Sequence, residues 1–219
     1  MEKKEGAIII CGGAIEETFV LEIMKNYNEE GIIAADQGLE FLHRHKIKPD
    51  VIVGDFDSVS KEIVSQYLEK EEIFVYSHDS MKESSDTELA IEVALNMNVK
   101  HLLILGATGN RLDHFWGNVQ SLTMALKAGV SGMILDSKNR IRLLDGEFVL
   151  KKSEHFGRYF SLFPLGAPVE NVSLQGAKYP LKGEGLTPWN SRCISNEIVG
   201  EELRIIFNHG IVVLMETKD

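Results

Sequence analysis

Residues 31–58 read G-I-I-A-A-D-Q-G-L-E-F-L-H-R-H-K-I-K-P-D-V-I-V-G-D-F-D-S, and this stretch decides the fold. GIIAAD (31–36) is apolar until its last position, as a strand buried on both faces must be. A short helical stretch around Leu39–His45 and then Pro49 lead to a second apolar run, VIVGD (51–55). Strand, helix and strand in this order predict a parallel βαβ unit. Each strand ends in aspartate.

The same alternation continues on both sides. Upstream, AIIIC (7–11) precedes a helical pattern at 16–27; downstream, a helix-like segment near 60–70 precedes IFVY (73–76). S-D-T-E at 85–88 is a capping-box sequence, in which Ser85 and Glu88 satisfy each other's amides. Ala90, Val93, Ala94 and Met97 then recur at helical spacing. HLLILG (101–106) is a further apolar strand, Phe115, Val119, Leu122 and Leu126 form a second helical stripe, and GMILD (132–136) adds one more strand. The expected fold class is α/β, with a parallel-sheet domain over 1–136.

The pattern changes at Ser137-Lys138-Asn139. Short strand candidates follow at 141–144, 148–150, 158–163, 172–174, 193–199, 203–207 and 211–216. LGAP (165–168), LKGEG (181–185) and NHG (208–210) separate some of them. Helical periodicity is lost, so residues 137–219 are expected to form an antiparallel β-sandwich.

Composition narrows the function classes. The chain has 219 residues, 44% hydrophobic and 26% charged, which is globular and not disordered. With 33 acidic against 23 basic residues it carries a net charge of -10, so no basic face is expected for a nucleic-acid polymer. Cys11 and Cys193 stand far apart with no CxxC, which argues against disulfide and zinc scaffolds. No apolar run reaches the length of a membrane span, and MEKKEGAIIICGG lacks a signal-peptide core, so a soluble cytoplasmic protein is expected. Walker A, GxGxxG, HExxH and GxSxG motifs are absent.

The chemistry falls to aspartates at strand ends. In a parallel sheet the carboxyl ends of the strands share one edge, where ligands of open α/β sheets bind. That gathers Asp36, Asp55 and Asp57 near one crevice, with Asp86 expected nearby. Alternation in an extended D-F-D puts Asp55 and Asp57 on one side, about 6.5–7 Å apart. Such a cluster calls for a cation, and an oxygen-only ligand set favours Mg²⁺ over zinc. Each piece also has a plainer reading: D-x-D-S suits an Asx turn, and Asp86 suits a first helical turn.

G-A-T-G-N-R-L-D-H-F-W-G-N (106–118) is a glycine-bearing loop feeding a helix N-terminus, a place for phosphate oxygens. Arg111 suits a bidentate clamp with Asp113 beside it, and His114 and Asn118 share a helix face; a surface Arg–Asp pair is the plainer alternative. In S-R-C-I-S-N-E (191–197), Ser195 and Asn196 are short polar residues in a strand-like run, where an edge strand with a bulge is the plainer alternative.

Together these segments resemble the bacterial thiamin pyrophosphokinase family. The matching motifs run in family order over roughly Ile8 to Met215: C-G-G (11–13), A-D-Q-G (35–38), P-D-V-I-V-G-D-F-D-S (49–58), S-D-T-E-L-A (85–90), G-A-T-G-N-R-L-D-H with Asn118, and L-T-P-W-N-S-R-C-I-S-N-E (186–197). The family pattern is departed from at Gln37, Glu83 with Ser85, Asn110 and Asn190. The resemblance implies transfer of pyrophosphate from ATP to thiamin, giving thiamin diphosphate and AMP, in a homodimer with shared sites. It implies that Asp55, Asp57 and Asp86 are catalytic and hold Mg²⁺, that Asp36, Arg111, Asp113 and Asn118 line the ATP site, and that Ser195 and Asn196 contact thiamin. The rival expectations are a pyrophosphokinase acting on a pterin-type alcohol and a non-catalytic nucleotide or thiamin sensor.

Overall fold

A computed structural model describes residues 4–27, 30–77 and 84–219. The chain divides into two compact units, Met1–Ser137 and Lys138–Asp219. Lys82 and Glu83, one of the departures from the family pattern, lie outside the described residues.

The first unit is built on strands β1 (Gly6–Ile10), β2 (Gly31–Ala35), β3 (Val51–Gly54), β4 (Phe74–Ser77), β5 (His101–Leu105) and β6 (Ser131–Leu135), in spatial order β4-β3-β2-β1-β5-β6. All five pairings are parallel. The helices are α1 (Glu17–Asn26), α2 (Gly38–Arg44), α3 (Lys61–Leu68), α4 (Asp86–Asn96) and α5 (Leu112–Lys127). Ile8, Ile9, Ile10, Ile33, Ile52, Leu102 and Ile104 are fully buried, because helices cover both faces and leave no polar side to the central strands. The capping box is present: the Glu88 amide donates to Ser85 Oγ (3.2 Å) and the Ser85 amide to Glu88 Oε2 (3.1 Å). It fixes where α4 starts, and with it the place of Asp86.

From β1 the chain runs outward through β2, β3 and β4, then returns to pair β5 on the other side of β1. This reversal opens a crevice at the carboxyl edge, between the turns after β1 and β5. Close backbone contact closes its floor. The Cys11 amide donates to the Leu105 carbonyl (2.8 Å) and the Gly13 amide to the Gly106 carbonyl (2.8 Å). A Cβ on Gly38 would overlap the Ile10 carbonyl oxygen, a backbone atom that cannot step aside. Gly38→Ala is therefore expected to destabilise the unit by about 3 kcal/mol, the upper end for overpacking, as measured by urea unfolding.

The second unit contains β7 (Asn139–Leu144), β8 (Phe148–Lys151), β9 (Tyr159–Pro164), β10 (Val169–Gln175), β11 (Leu181–Leu186), β12 (Glu202–Ile206) and β13 (Val212–Thr217). Antiparallel pairings give the orders β7-β13-β9 and β11-β10-β12-β8. Leu144, Phe160, Leu162, Val212 and Leu214 from the first group pack with Leu150, Val172, Leu174, Leu203 and Ile205 from the second in one core. The unit is the antiparallel sandwich that alternation predicts.

Two expectations are corrected here. LKGEG, read as a separator, is most of strand β11: an edge strand pairs on one side only, and Gly183 at φ +67° is accommodated where its register with β10 shifts. Residues 193–199, read as a strand, form two isolated bridges, Phe160 with Asn196 and Ala177 with Ile198. Ser195 adopts φ +57°, a left-handed turn that breaks the run where no neighbouring strand pairs along it.

Candidate active site

The crevice of the first unit has a volume of about 870 Å³. Its wall comes from four chain segments: Cys11–Ala14 after β1, Ala35–Gln37 after β2, Ser85–Thr87 at the start of α4, and the loop after β5 running into α5. Asp36, Asp86, Arg111, Asp113, His114 and Asn118 all line it. Six sequence-selected residues from distant parts of the unit thus share one cavity.

The aspartates divide into two sets. Asp36, Asp55 and Asp57 each offer a carboxylate oxygen within 4.8 Å of the others. Asp36 belongs to both this trio and the crevice wall. Asp86 is not in the trio; it opens α4, and its Oδ1 would lie 3.5 Å from a Cβ placed on Gly54 at the end of β3. The trio therefore joins Asp36, expected on the nucleotide side, to Asp55 and Asp57.

The 55–58 segment is a turn and not an extended strand. Phe56 has φ +58°, and the Asp57 amide donates to Asp55 Oδ1 (3.1 Å). The Asx turn folds the two carboxylates together more tightly than alternation would. The charge of Asp55 above all, with partial desolvation and the charge of Asp36 after it, raises the Asp57 carboxyl above its ordinary range. Crowded acids that resist ionisation together are a fitting donor set for a hard divalent cation, which relieves the repulsion.

Sequence reading missed Ser58, although it lies inside the quoted motif. Its hydroxyl lies 2.5 Å from Asp36 Oδ1 and 2.6 Å from Oδ2. Gln37 Nε2 donates to the Ser58 carbonyl (3.4 Å), and the Ser60 amide to Glu40 Oε1 (3.2 Å). Cys11 and Thr87 were also missed: the thiol lies 3.6 Å from the Thr87 hydroxyl, beneath the crevice. Burial pushes the Cys11 thiol up to about 12, further raised by Asp86 and Asp36 against the Thr87 hydrogen bond, so it is no nucleophile.

On the wall formed by the start of α5, Arg111 stands at the N-cap position without a side-chain capping bond and meets Asp113 through Nε–Oδ1 (3.3 Å) and Nη2–Oδ2 (2.6 Å). This hydrogen bond holds the Asp113 carboxyl down at about 2. Both groups are exposed and charged, and Nη1 is the guanidinium edge left facing away from Asp113. Asn118 is buried and donates from Nδ2 to the Ala107 carbonyl (2.8 Å), bracing the glycine loop.

In the second unit Ser195 is exposed, whereas Asn196 is buried. The Asn196 side-chain oxygen accepts from the amides of Tyr179 (3.0 Å) and Glu197 (2.9 Å), and Nδ2 donates to the Tyr179 carbonyl (2.8 Å). The Asn196 amide is thus engaged in shaping the loop that presents Ser195.

Known proteins place these features in one family. Residues 24–134 match the family described as thiamin pyrophosphokinase, catalytic domain, and residues 147–212 match thiamin pyrophosphokinase, vitamin B1 binding domain. A Bacillus subtilis protein named thiamine pyrophosphokinase is 31% identical over 188 residues, covering 85% of this chain and 87% of that one. The crystal structure of thiamine pyrophosphokinase from Bacillus subtilis is similar with a TM-score of 0.83 at 29% identity, covering 98% of this chain and 99% of the other. That of thiamin pyrophosphokinase from Geobacillus thermodenitrificans gives 0.82 at 25% identity, with 97% of each chain covered. The chain is an enzyme belonging to the thiamin pyrophosphokinase family, and it carries matches to both the catalytic and the vitamin B1-binding domain of that family.

Proposed function

We propose that this chain transfers a pyrophosphoryl group from ATP to the hydroxyl of thiamin, releasing AMP. The observation that carries this reading is the carboxylate trio meeting the crevice wall at Asp36, in a chain that matches both family domains. The thiamin hydroxyl attacks the β-phosphorus, the bond from that phosphorus to the α-bridging oxygen breaks, and AMP leaves with the oxygen. The hydroxyl proton passes to a carboxylate of the site. Positioning and charge neutralisation suffice for this chemistry, and no covalent enzyme intermediate is needed.

Asp55 and Asp57 would hold the cation as expected, with Asp36 completing the trio in place of the expected Asp86, which faces the same crevice. Mg²⁺ there would neutralise phosphate oxygens and the charge that develops on departing AMP. The glycine loop and the first turn of α5 offer backbone amides to phosphate oxygens, and Arg111 offers Nη1, with Asp113 fixing its plane. Asn118 positions the loop. Thiamin falls to the second unit, where Ser195 supplies a contact and Asn196 holds the segment that presents it. Residues 1–136 serve as the catalytic domain and 137–219 as the thiamin domain of a cytoplasmic homodimer. No helix among the described residues is long and apolar enough to cross a membrane.

Incubation with ATP, Mg²⁺ and thiamin is expected to yield AMP and thiamin diphosphate in equal amounts, and excess chelator is expected to stop both. Equal turnover of a pterin alcohol would overturn the substrate assignment. A thiamin-dependent rise in melting temperature with no AMP formed would overturn the enzymatic one.

A further inference from the structure

Three carboxylates whose oxygens lie within 4.8 Å of one another repel, so something in the fold must hold them together before a cation arrives. They come from two separate segments: Asp36 from the turn after β2, Asp55 and Asp57 from the turn after β3. The backbone link between these segments is the Asp36 amide to the Val53 carbonyl (2.9 Å), and it fixes the main chain but leaves the Asp36 carboxylate free to rotate. The Ser58 hydroxyl reaches that carboxylate, at 2.5 and 2.6 Å from its two oxygens. One hydroxyl proton shared between two oxygens fixes the plane of the group as well as its place.

Resting on the reading of the trio as the cation site, we propose that Ser58 is a positioning residue, a neutral clamp that keeps Asp36 assembled with Asp55 and Asp57. A lysine or arginine in that place would hold Asp36 more strongly, but its positive charge would oppose the cation. A hydroxyl donates without adding charge, and its donation to an ionised oxygen is the stronger kind of hydrogen bond. Ser58 itself stands on the segment that carries Asp55 and Asp57, so holding Asp36 ties the two turns into one unit. The Gln37 amide on the Ser58 carbonyl and the Ser60 amide on Glu40 lace the same junction from either side. The cation then meets a formed site, and the ordering of Asp36 is not charged against its binding.

Isothermal titration of the full chain with Mg²⁺, and separately with Mn²⁺, in the absence of ATP and thiamin tests the clamp. Ser58→Ala is expected to weaken cation binding roughly tenfold or more, in the range of losses for groups that orient metal ligands. Ser58→Thr keeps the hydroxyl and is expected to restore most of the affinity. In steady state, Ser58→Ala is expected to raise the KM for the cation and to keep kcat at saturating cation. Ser58 is exposed, so the cation-free variants are expected to melt with the wild type. A Ser58→Ala protein that binds the cation as tightly as wild type, or more tightly, overturns the proposal, as does a fall in kcat with the cation KM unchanged. If the wild type binds neither ion, the clamp and the cation assignment fall together. If it binds the cation but transfers no pyrophosphoryl group, the clamp stands and the proposed reaction is the part overturned.

Discussion

Asp57→Asn is expected to lower pyrophosphoryl transfer by about a hundred- to a thousandfold while leaving the fold intact, since removal of one preorganised electrostatic group at a reacting centre costs this much. Asparagine has the volume of aspartate and retains an acceptor oxygen. The turn itself rests on the Asp57 amide bonded to Asp55 and on left-handed Phe56, and neither needs a charge at position 57. What the substitution removes is one negative charge from a crowded trio. Because Asp55 and Asp36 raise the Asp57 carboxyl, the folded state favours its neutral form, and at neutral pH the ionised form works against the fold. The cation-free variant is therefore expected to melt at or slightly above the wild-type temperature. That difference closes as pH falls through the raised Asp57 value and the wild type takes up its proton. With Mg²⁺ the order reverses, since the wild type gains stability from bound cation and the variant gains little. Calorimetric melting with and without Mg²⁺ over a range of pH, beside an AMP-release assay, reads all four effects. A variant with wild-type turnover would remove the trio from the mechanism.

The same comparison explains why an acidic protein suits this chemistry. A net charge of -10 opposes a bare triphosphate, and the trio lies where that opposition is most local. On the proposed reading, a cation on the trio would turn the acidic cluster that meets the crevice wall at Asp36 into a place that attracts phosphate.

The parts of the fold that were legible in the sequence are those where burial leaves little choice. Runs such as Gly31–Ala35 and His101–Leu105 are apolar throughout because helices cover both faces of a parallel sheet. The edge position of Asp36, Asp55 and Asp86 follows from that sheet alone. Local backbone departures were less legible. Phe56, at φ +58°, turns D-F-D from a strand end into the Asx turn that D-x-D-S allows as its plainer reading, and the residue types alone do not decide between the two. The Cys193–Val199 run has the alternation of a strand, yet Ser195 in the left-handed region breaks it, and Asn196 takes over hydrogen bonds that a strand neighbour would make. Gly183 and Gly185 made β11 look like a loop, because an edge strand paired on one side tolerates residues that a central strand does not. Ser58 was overlooked for a different reason: its role depends on a carboxylate 22 positions away.

Glu216→Ala is expected to cost the second unit about 3–5 kcal/mol, the penalty for leaving buried charge without its partner. Glu216 has no exposed surface although it lies near the end of β13. Strand alternation places it on the same face as Val212 and Leu214, which belong to the sandwich core. Its carboxylate accepts from Arg140 Nε (2.7 Å), from Arg140 Nη2 and from the Phe156 amide (3.2 Å), and Arg142 Nη2 lies at 3.4 Å. Burial lowers the Arg142 guanidinium from its ordinary value, with Glu216 acting against that fall. Alanine would leave two part-buried guanidiniums facing each other with no counter-charge. A loss of this size is a large share of the ~5–15 kcal/mol that holds a domain together. Glu216→Gln keeps the shape and one acceptor oxygen, and about half the loss is expected. Replacing the set together, Arg140→Met with Arg142→Met and Glu216→Leu, is expected to recover most of the stability, because apolar residues of similar volume often equal or exceed a buried ion pair. Urea unfolding followed by hydrogen exchange in 139–144 and 212–217 reads the effect in β7 and β13 directly. The Glu216→Ala deficit is expected to persist in high salt, since buried charges are little screened. A deficit that disappears in 1 M salt, or a triple variant no more stable than Glu216→Ala, would mean that packing at this end of the sandwich matters and its charge balance does not.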